Sequence, residues 1–107
     1  MRIEFTGRRW FVHNITEEEI RSVLEFPLVR WRLTARIAGS DPFMFVGRYD
    51  DNEPPIEVGA EPVTSEHWVV FHAMMLRVGT ALDGGLDRTH PEVVRDIASQ
   101  RGGRRKP

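Results

Sequence analysis

The stretch that decides the fold is residues 67–76, which read HWVVFHAMML. Apolar side chains occupy almost every position, so both faces of an extended chain here would need to be covered. Such runs are typical of strands buried inside a sheet. We therefore predict that residues 67–76 form the central strand and the core of the fold.

The strand expected just before it, residues 56–61, alternates instead. Every second residue from Ile56 onward is apolar, whereas the residues between them, among them Glu57 and Glu61, are polar or glycine. This alternation is typical of a strand with one buried face. We therefore expect Glu57 to face solvent.

Other segments complete the expected sheet. Residues 43–49 predict one more strand, and the polar connections at residues 50–55 and 62–66 join the three strands as an antiparallel meander. Residues 1–6 alternate and predict a short N-terminal strand. Residues 28–38 alternate arginines with apolar residues, which indicates an edge strand or an ordered arm.

The clearest helix start is a capping box formed by Thr16 and Glu19. Three glutamates fill the first turn from Glu17, where the positive end of the helix dipole stabilises them. Pro27 then ends the helix at about Phe26, because the residue before a proline avoids the helical conformation.

The C-terminal part is predicted to be helical. Residues 77–82 suit one helical turn, and Thr89 with Glu92 forms a second capping box for a helix that runs to about Ser99. Residues 101–107 contain four basic residues and no acidic ones, which predicts a basic disordered tail.

Together these elements predict an α+β fold: an N-terminal strand and short helices packed on an antiparallel meander sheet of three to four strands, with a C-terminal helix. The short helices include one or two turns at residues 8–13. The length of 107 residues suits one domain, which we assign to residues 1–100. No internal repeat is visible.

Composition restricts the types of site and the cellular compartment that we expect. The chain has no cysteine, which excludes disulfides and thiolate metal sites. No stretch approaches the roughly 18 apolar residues of a membrane helix, and no apolar signal-peptide core follows the first residues. We expect a cytoplasmic protein that does not contact a membrane.

Charge is uneven along the chain although the net charge is −1. Residues 1–48 carry +2, residues 49–100 carry −7 and residues 101–107 carry +4. Fourteen of the fifteen basic residues are arginine, whose planar guanidinium suits phosphate, although genome base composition produces the same bias. Arginines interleaved with tryptophan and phenylalanine are compatible with RNA binding, and a solvated edge strand explains residues 30–36 equally well.

No group of residues dictates a metal site or a covalent intermediate. The acidic connection at residues 50–53 lacks the spacing of a calcium loop. On a regular strand His67 and His72 point to opposite faces, so they cannot share a metal ion. His72 is expected on the face of Trp68, as a hydrogen-bonded core residue or a proton-transfer group. We predict no metal and no cofactor.

Several short motifs occur in an order that resembles one family. In chain order they are HNITEEEI at 13–20, VL and P at 23–27, FVGR at 45–48, IEV at 56–58 and VVFHAM at 69–74. This order resembles the BrnT-like toxins, which are similar in fold to the RelE/ParE superfamily. Where those toxins usually carry Ser-Ala-Arg on the last strand, this chain has His72-Ala73-Met74.

The resemblance implies the toxin of a toxin-antitoxin pair, held inactive by a cognate antitoxin protein. It implies an endoribonuclease that cuts mRNA, free or on the ribosome, without a metal. The catalytic residues it implies are Arg48 and Arg77 on the phosphate side and His72, or alternatively His13, for proton transfer. It also implies that Arg8 and Arg9 hold the RNA backbone, and with His13 and the strand arginines Arg30 and Arg32 they form the expected RNA-binding set.

Two other functions fit the same residues. One is a non-catalytic module that docks a protein partner through the acidic stretch of residues 50–66 and the basic tail. The other is a nucleic-acid-binding domain that does not cleave and uses residues 30–36. Its affinity should fall steeply with salt, because each phosphate contact releases counterions.

Overall fold

The computed structural model describes residues 1–6 and 15–100 and has the predicted α+β class. The elements are β1 (Arg2–Phe5), α1 (Glu17–Glu25), β2 (Val29–Arg32), β3 (Phe43–Gly47), β4 (Ile56–Thr64), β5 (His67–Met75), α2 (Val78–Asp83), α3 (Leu86–Thr89) and α4 (Pro91–Gln100). The short helix expected at residues 8–13 and the tail expected at residues 101–107 lie outside the described residues.

The sheet differs from the predicted meander. It has five strands in the order β1-β5-β4-β3-β2. Four of them, β2 to β5, form an antiparallel meander, whereas β1 joins the edge of β5 in parallel, so the sheet is mixed. Because β1 adds a strand beyond β5, the central strand is β4, and the prediction that residues 67–76 are central is wrong.

Strand β4 is covered on both faces. Every residue from 56 to 60 is buried, and Glu57 is 0% exposed. The prediction that Glu57 faces solvent is therefore wrong. The cause is the C-terminal helices, which cover a face of the sheet that alternation alone would leave to water.

Two buried clusters define the two faces of the sheet. The first face packs against α1, and its cluster includes Ile20, Val23, Leu24, Phe45, Val58, Trp68 and Val70. The second face packs against α2, α3 and α4, and its cluster includes Met44, Val46, Leu76, Ala81, Leu86, Val93 and Ile97. The sheet thus lies between helices on both sides.

A bulge in β5 changes which face its side chains occupy. Val70 pairs with Ala60, but His72 pairs with Gly59, so Phe71 is an extra residue. Beyond the bulge the alternation is inverted. His72 therefore leaves the face of Trp68 and Val70, which corrects the prediction that they share one.

The helix starts were predicted with mixed success. The capping box of Thr16 and Glu19 is present, with both reciprocal hydrogen bonds, and α1 ends where Pro27 predicts. The second capping box is wrong. Thr89 is the last residue of α3, and its hydroxyl donates to the carbonyl of Gly85 at 3.2 Å, while α4 begins at Pro91.

Candidate active site

The candidate site is built on Glu57, a carboxylate buried on the second face of the sheet. Its neighbours across the strands are Val46 on β3 and Met74 on β5. The chain leaving β5 turns into α2 at Arg77, which occupies the N-cap position of that helix. This turn brings the start of α2 to the carboxylate.

Two basic side chains bind the Glu57 carboxylate directly. The backbone N–H of Arg77 donates to Oε1 at 2.9 Å, and Nη2 of the same residue donates to Oε2 at 2.6 Å. Nε2 of His72 lies 2.8 Å from Oε2. Because an ionised carboxylate only accepts, the proton of that bond belongs to Nε2.

These contacts explain the protonation state of Glu57. Burial raises the pKa of this carboxyl, but hydrogen bonds from His72, from the side chain and backbone of Arg77, and from Thr80 outweigh burial and lower the pKa from 4.5 to about 2. The same ion pair raises the pKa of Arg77. The cluster is thus a carboxylate held ionised at neutral pH.

The groups bound to Glu57 still reach solvent. The side chain of Arg77 is 56% exposed and that of His72 is 29% exposed, whereas that of Glu57 is fully covered. Among the described residues, Nη1 of Arg77 and Nδ1 of His72 make no hydrogen bond. The cluster therefore offers one cationic donor and one ring nitrogen able to exchange a proton, both oriented by one carboxylate.

Of the three residues predicted to be catalytic, His72 and Arg77 meet at Glu57 and Arg48 does not. Nη2 of Arg48 lies 2.6 Å from Oδ2 of Asp96 on α4, and its side chain is only 15% exposed. This ion pair ties the end of β3 to the last helix. The guanidinium of Arg48 is thus paired with a carboxylate other than Glu57.

The predicted RNA-binding arginines of β2 lie on the other side of the sheet. Arg30 and Arg32 pair with Phe45 and Phe43, which puts them on the first face. The guanidinium carbon of Arg30 lies 5.6 Å from the ring centre of Phe43, and Nε of Arg32 lies 2.9 Å from Oδ1 of Asp41. The sheet separates them from His72 and Arg77. The other predicted RNA-binding residues, Arg8, Arg9 and His13, lie outside the described residues.

Sequence reasoning did not identify Glu57 as a candidate site residue. The alternation of its neighbours predicted that Glu57 lies on a solvent-exposed face of the sheet. Nothing in that alternation shows that α2 folds back over it. The available signal was a histidine on the following strand and an arginine just after that strand, both able to pair with a carboxylate, and its use would have required the register of β4 and β5.

Within the part of the chain that the structure describes, no group of three or more histidine, aspartate or glutamate side chains is placed to hold a metal ion. No helix among those residues has the length and apolar character needed to cross a membrane. Comparison of the chain with protein-family models, with curated proteins and with solved structures finds no match.

Proposed function

We propose that this chain is the toxin of a toxin-antitoxin pair and acts as an endoribonuclease at the Glu57 cluster. The observation that supports the proposal is the attachment of His72 and Arg77 to one buried carboxylate. A proton-transfer group and a phosphate-binding cation are the two groups that RNA cleavage needs from a protein, because RNA carries its own nucleophile in the ribose 2′-hydroxyl.

His72 is the proposed general base. With Nε2–H held by Glu57, the neutral ring has its lone pair on Nδ1, which would take the proton of the 2′-hydroxyl. The 2′-oxygen then bonds to phosphorus, the bond to the 5′-oxygen breaks, that oxygen takes a proton from water, and the hydroxide left behind takes the proton from His72. A general base of this kind contributes about 100- to 10,000-fold to a rate.

Arg77 is the proposed electrostatic group. Its Nη1 would donate to a non-bridging phosphate oxygen, whose negative charge grows in the pentacoordinate transition state. Glu57 accepts hydrogen bonds from Nε, Nη2 and the backbone N–H of Arg77, so Nη1 is oriented before substrate arrives. Because the donor is already oriented, little reorganisation free energy is needed when the transition state forms.

The test is cleavage of end-labelled single-stranded RNA by purified protein in the presence of EDTA. Naked RNA and translating ribosomes are both offered as substrate, so that a need for the ribosome does not hide the activity. We expect products ending in a 2′,3′-cyclic phosphate. We expect His72→Gln and Arg77→Gln to lower the rate by about 100-fold or more.

Matched controls separate chemistry from charge and folding. His90→Gln and Arg36→Gln change the same residue types away from Glu57 and should leave the rate within about twofold of wild type. Uncut RNA with the wild-type protein on both substrates would refute the proposal, and so would full activity of His72→Gln. RNA binding without cutting would support the non-catalytic RNA-binding alternative instead.

The proposal includes a cognate antitoxin and a cytoplasmic site of action, where mRNA is found. Expression of the chain alone should arrest growth, and His72→Gln should relieve the arrest. A small protein encoded by the neighbouring reading frame should copurify with the chain and suppress cleavage. Harmless expression of the wild-type chain would count against the toxin proposal.

A further inference from the structure

The extra residue of the β5 bulge, Phe71, places an aromatic ring beside the Glu57 cluster. A Cβ atom on Gly59 would lie 2.8 Å from Cε1 and 2.9 Å from Cζ of Phe71. The ring therefore fills the space above Gly59, and only glycine leaves room for it. Phe71 is nevertheless 47% exposed, so one part of the ring rests on the sheet and the rest faces water.

The ring lies next to His72. The Cβ atom of His72 is 3.1 Å from the same point above Gly59. Gly59 and Glu57 share one face of β4 and are two residues apart, a separation of about 7 Å along a strand. The Phe71 ring, the His72 imidazole and the Arg77 guanidinium thus follow one another along the second face.

We propose that the exposed side of the Phe71 ring is a stacking platform for an unpaired nucleobase of the RNA bound at His72 and Arg77. This inference rests on the proposed function. Aromatic side chains bind single strands by stacking on bases, and a base inside a duplex has no free face to offer. Phe71 would therefore restrict the site to single-stranded RNA.

Charge supports stacking as the main source of affinity on this surface. Arg77 is the arginine that the described contacts bring to Glu57, and its guanidinium is partly neutralised by that carboxylate. Few phosphates can be neutralised here, so counterion release contributes little and binding should depend only weakly on salt. Base stacking has no such dependence.

The experiment measures binding of two oligomers of about ten residues that cannot be cleaved. One is a 2′-O-methyl RNA of mixed sequence, and the other has the same length and the same 2′-O-methyl groups but carries abasic residues only. We expect Phe71→Leu to weaken binding of the first about fivefold or more and to leave binding of the second unchanged. Gly59→Ala should also weaken binding of the mixed RNA, because the new methyl group displaces the ring.

Phe26→Leu is the matched control, since Phe26 is 79% exposed at the end of α1 and should not affect either oligomer. The inference is overturned if Phe71→Leu binds the mixed RNA as tightly as wild type does, or if Phe71→Leu weakens binding of both oligomers equally. It is also overturned if the wild-type protein binds the two oligomers with equal affinity. Neither oligomer can be cut, so the binding result does not depend on cleavage. Binding that depends on Phe71, together with no cleavage of ordinary RNA, would contradict the proposed function but not this inference. Cleavage that is indifferent to Phe71 would remove this inference alone.

Discussion

At the scale of single residues, Glu57 shows how burial and hydrogen bonding compete. Its pKa is lowered to about 2 in the folded chain, against 4.5 for an ordinary glutamate. The folded state therefore binds this proton less readily than the unfolded state does. The resulting stability is fully present above about pH 4.5 and is lost as the pH falls towards 2.

We expect Glu57→Gln to lower the free energy of unfolding at pH 7 by about 3 kcal/mol, which is the pKa difference between the folded and unfolded states converted to free energy. The difference from wild type should shrink steadily below about pH 4.5, because protonated glutamate resembles glutamine. Urea unfolding at pH 7 and at pH 3 measures both values.

The control for this prediction is Glu25→Gln, at an exposed position of α1. Its stability should follow that of wild type at both pH values. A deficit of Glu57→Gln that is the same at pH 7 and pH 3 would show that the ionised form of Glu57 is not the source of the stability.

Residue types indicated part of the candidate site. His72 was a candidate because of its residue type on an apolar strand, whereas Arg77 was implied only by the resemblance to the BrnT-like toxins. Glu57 was not identifiable, since its neighbours in sequence gave it a solvent-facing position. Only the helix that folds over the sheet makes it a buried carboxylate.

At the scale of elements, the bulge in β5 limits what alternation can predict. Phe71 adds one residue to the strand, and the side chain of His72 consequently changes face. The sequence HWVVFHAMML does not mark the position of such an insertion. The signal lies on the neighbouring strand, where Gly59 provides the space for the Phe71 ring.

The turn between α2 and α3 depends on a close contact with β2. A Cβ atom on Gly84 would lie 2.5 Å from the indole of Trp31, whereas one on Gly79 would meet nothing within 4 Å. We expect Gly84→Ala to destabilise the fold by about 1–3 kcal/mol through overpacking. Gly79→Ala, inside α2, should stabilise it by about 0.5–1 kcal/mol through helix propensity.

Thermal or urea unfolding followed by tryptophan fluorescence compares the two variants, which make the same chemical change five positions apart. Destabilisation of equal size in both would mean that the contact of Trp31 with Gly84 is not what sets the cost. A stable Gly84→Ala protein would contradict the packing of the α2–α3 turn directly.

At the scale of the whole molecule, local patterns predicted the class of the fold but not the arrangement of its sheet. Helices with clear caps and strands with clear alternation are readable because each depends on neighbours in sequence. The pairing of β1 with β5 joins residues about 65 positions apart, and no local pattern reports it. That pairing moved the centre of the sheet to β4, whereas the burial of Glu57 depends on the helices that follow β5 and cover the second face.

The sheet also divides the predicted RNA contacts between its two faces, which yields a final prediction. Arg30 and Arg32 lie on the first face, whereas His72 and Arg77 lie on the second. A short RNA that occupies the second face cannot reach through the sheet.

We therefore expect the double variant Arg30→Gln, Arg32→Gln to cleave a short single-stranded RNA within about twofold of the wild-type rate, while Arg77→Gln loses about 100-fold. A urea titration checks that the double variant, which loses its contacts with Phe43 and Asp41, remains folded at the assay temperature. A loss of cleavage in the folded double variant as large as that of Arg77→Gln would place the reaction on the first face and contradict the Glu57 site.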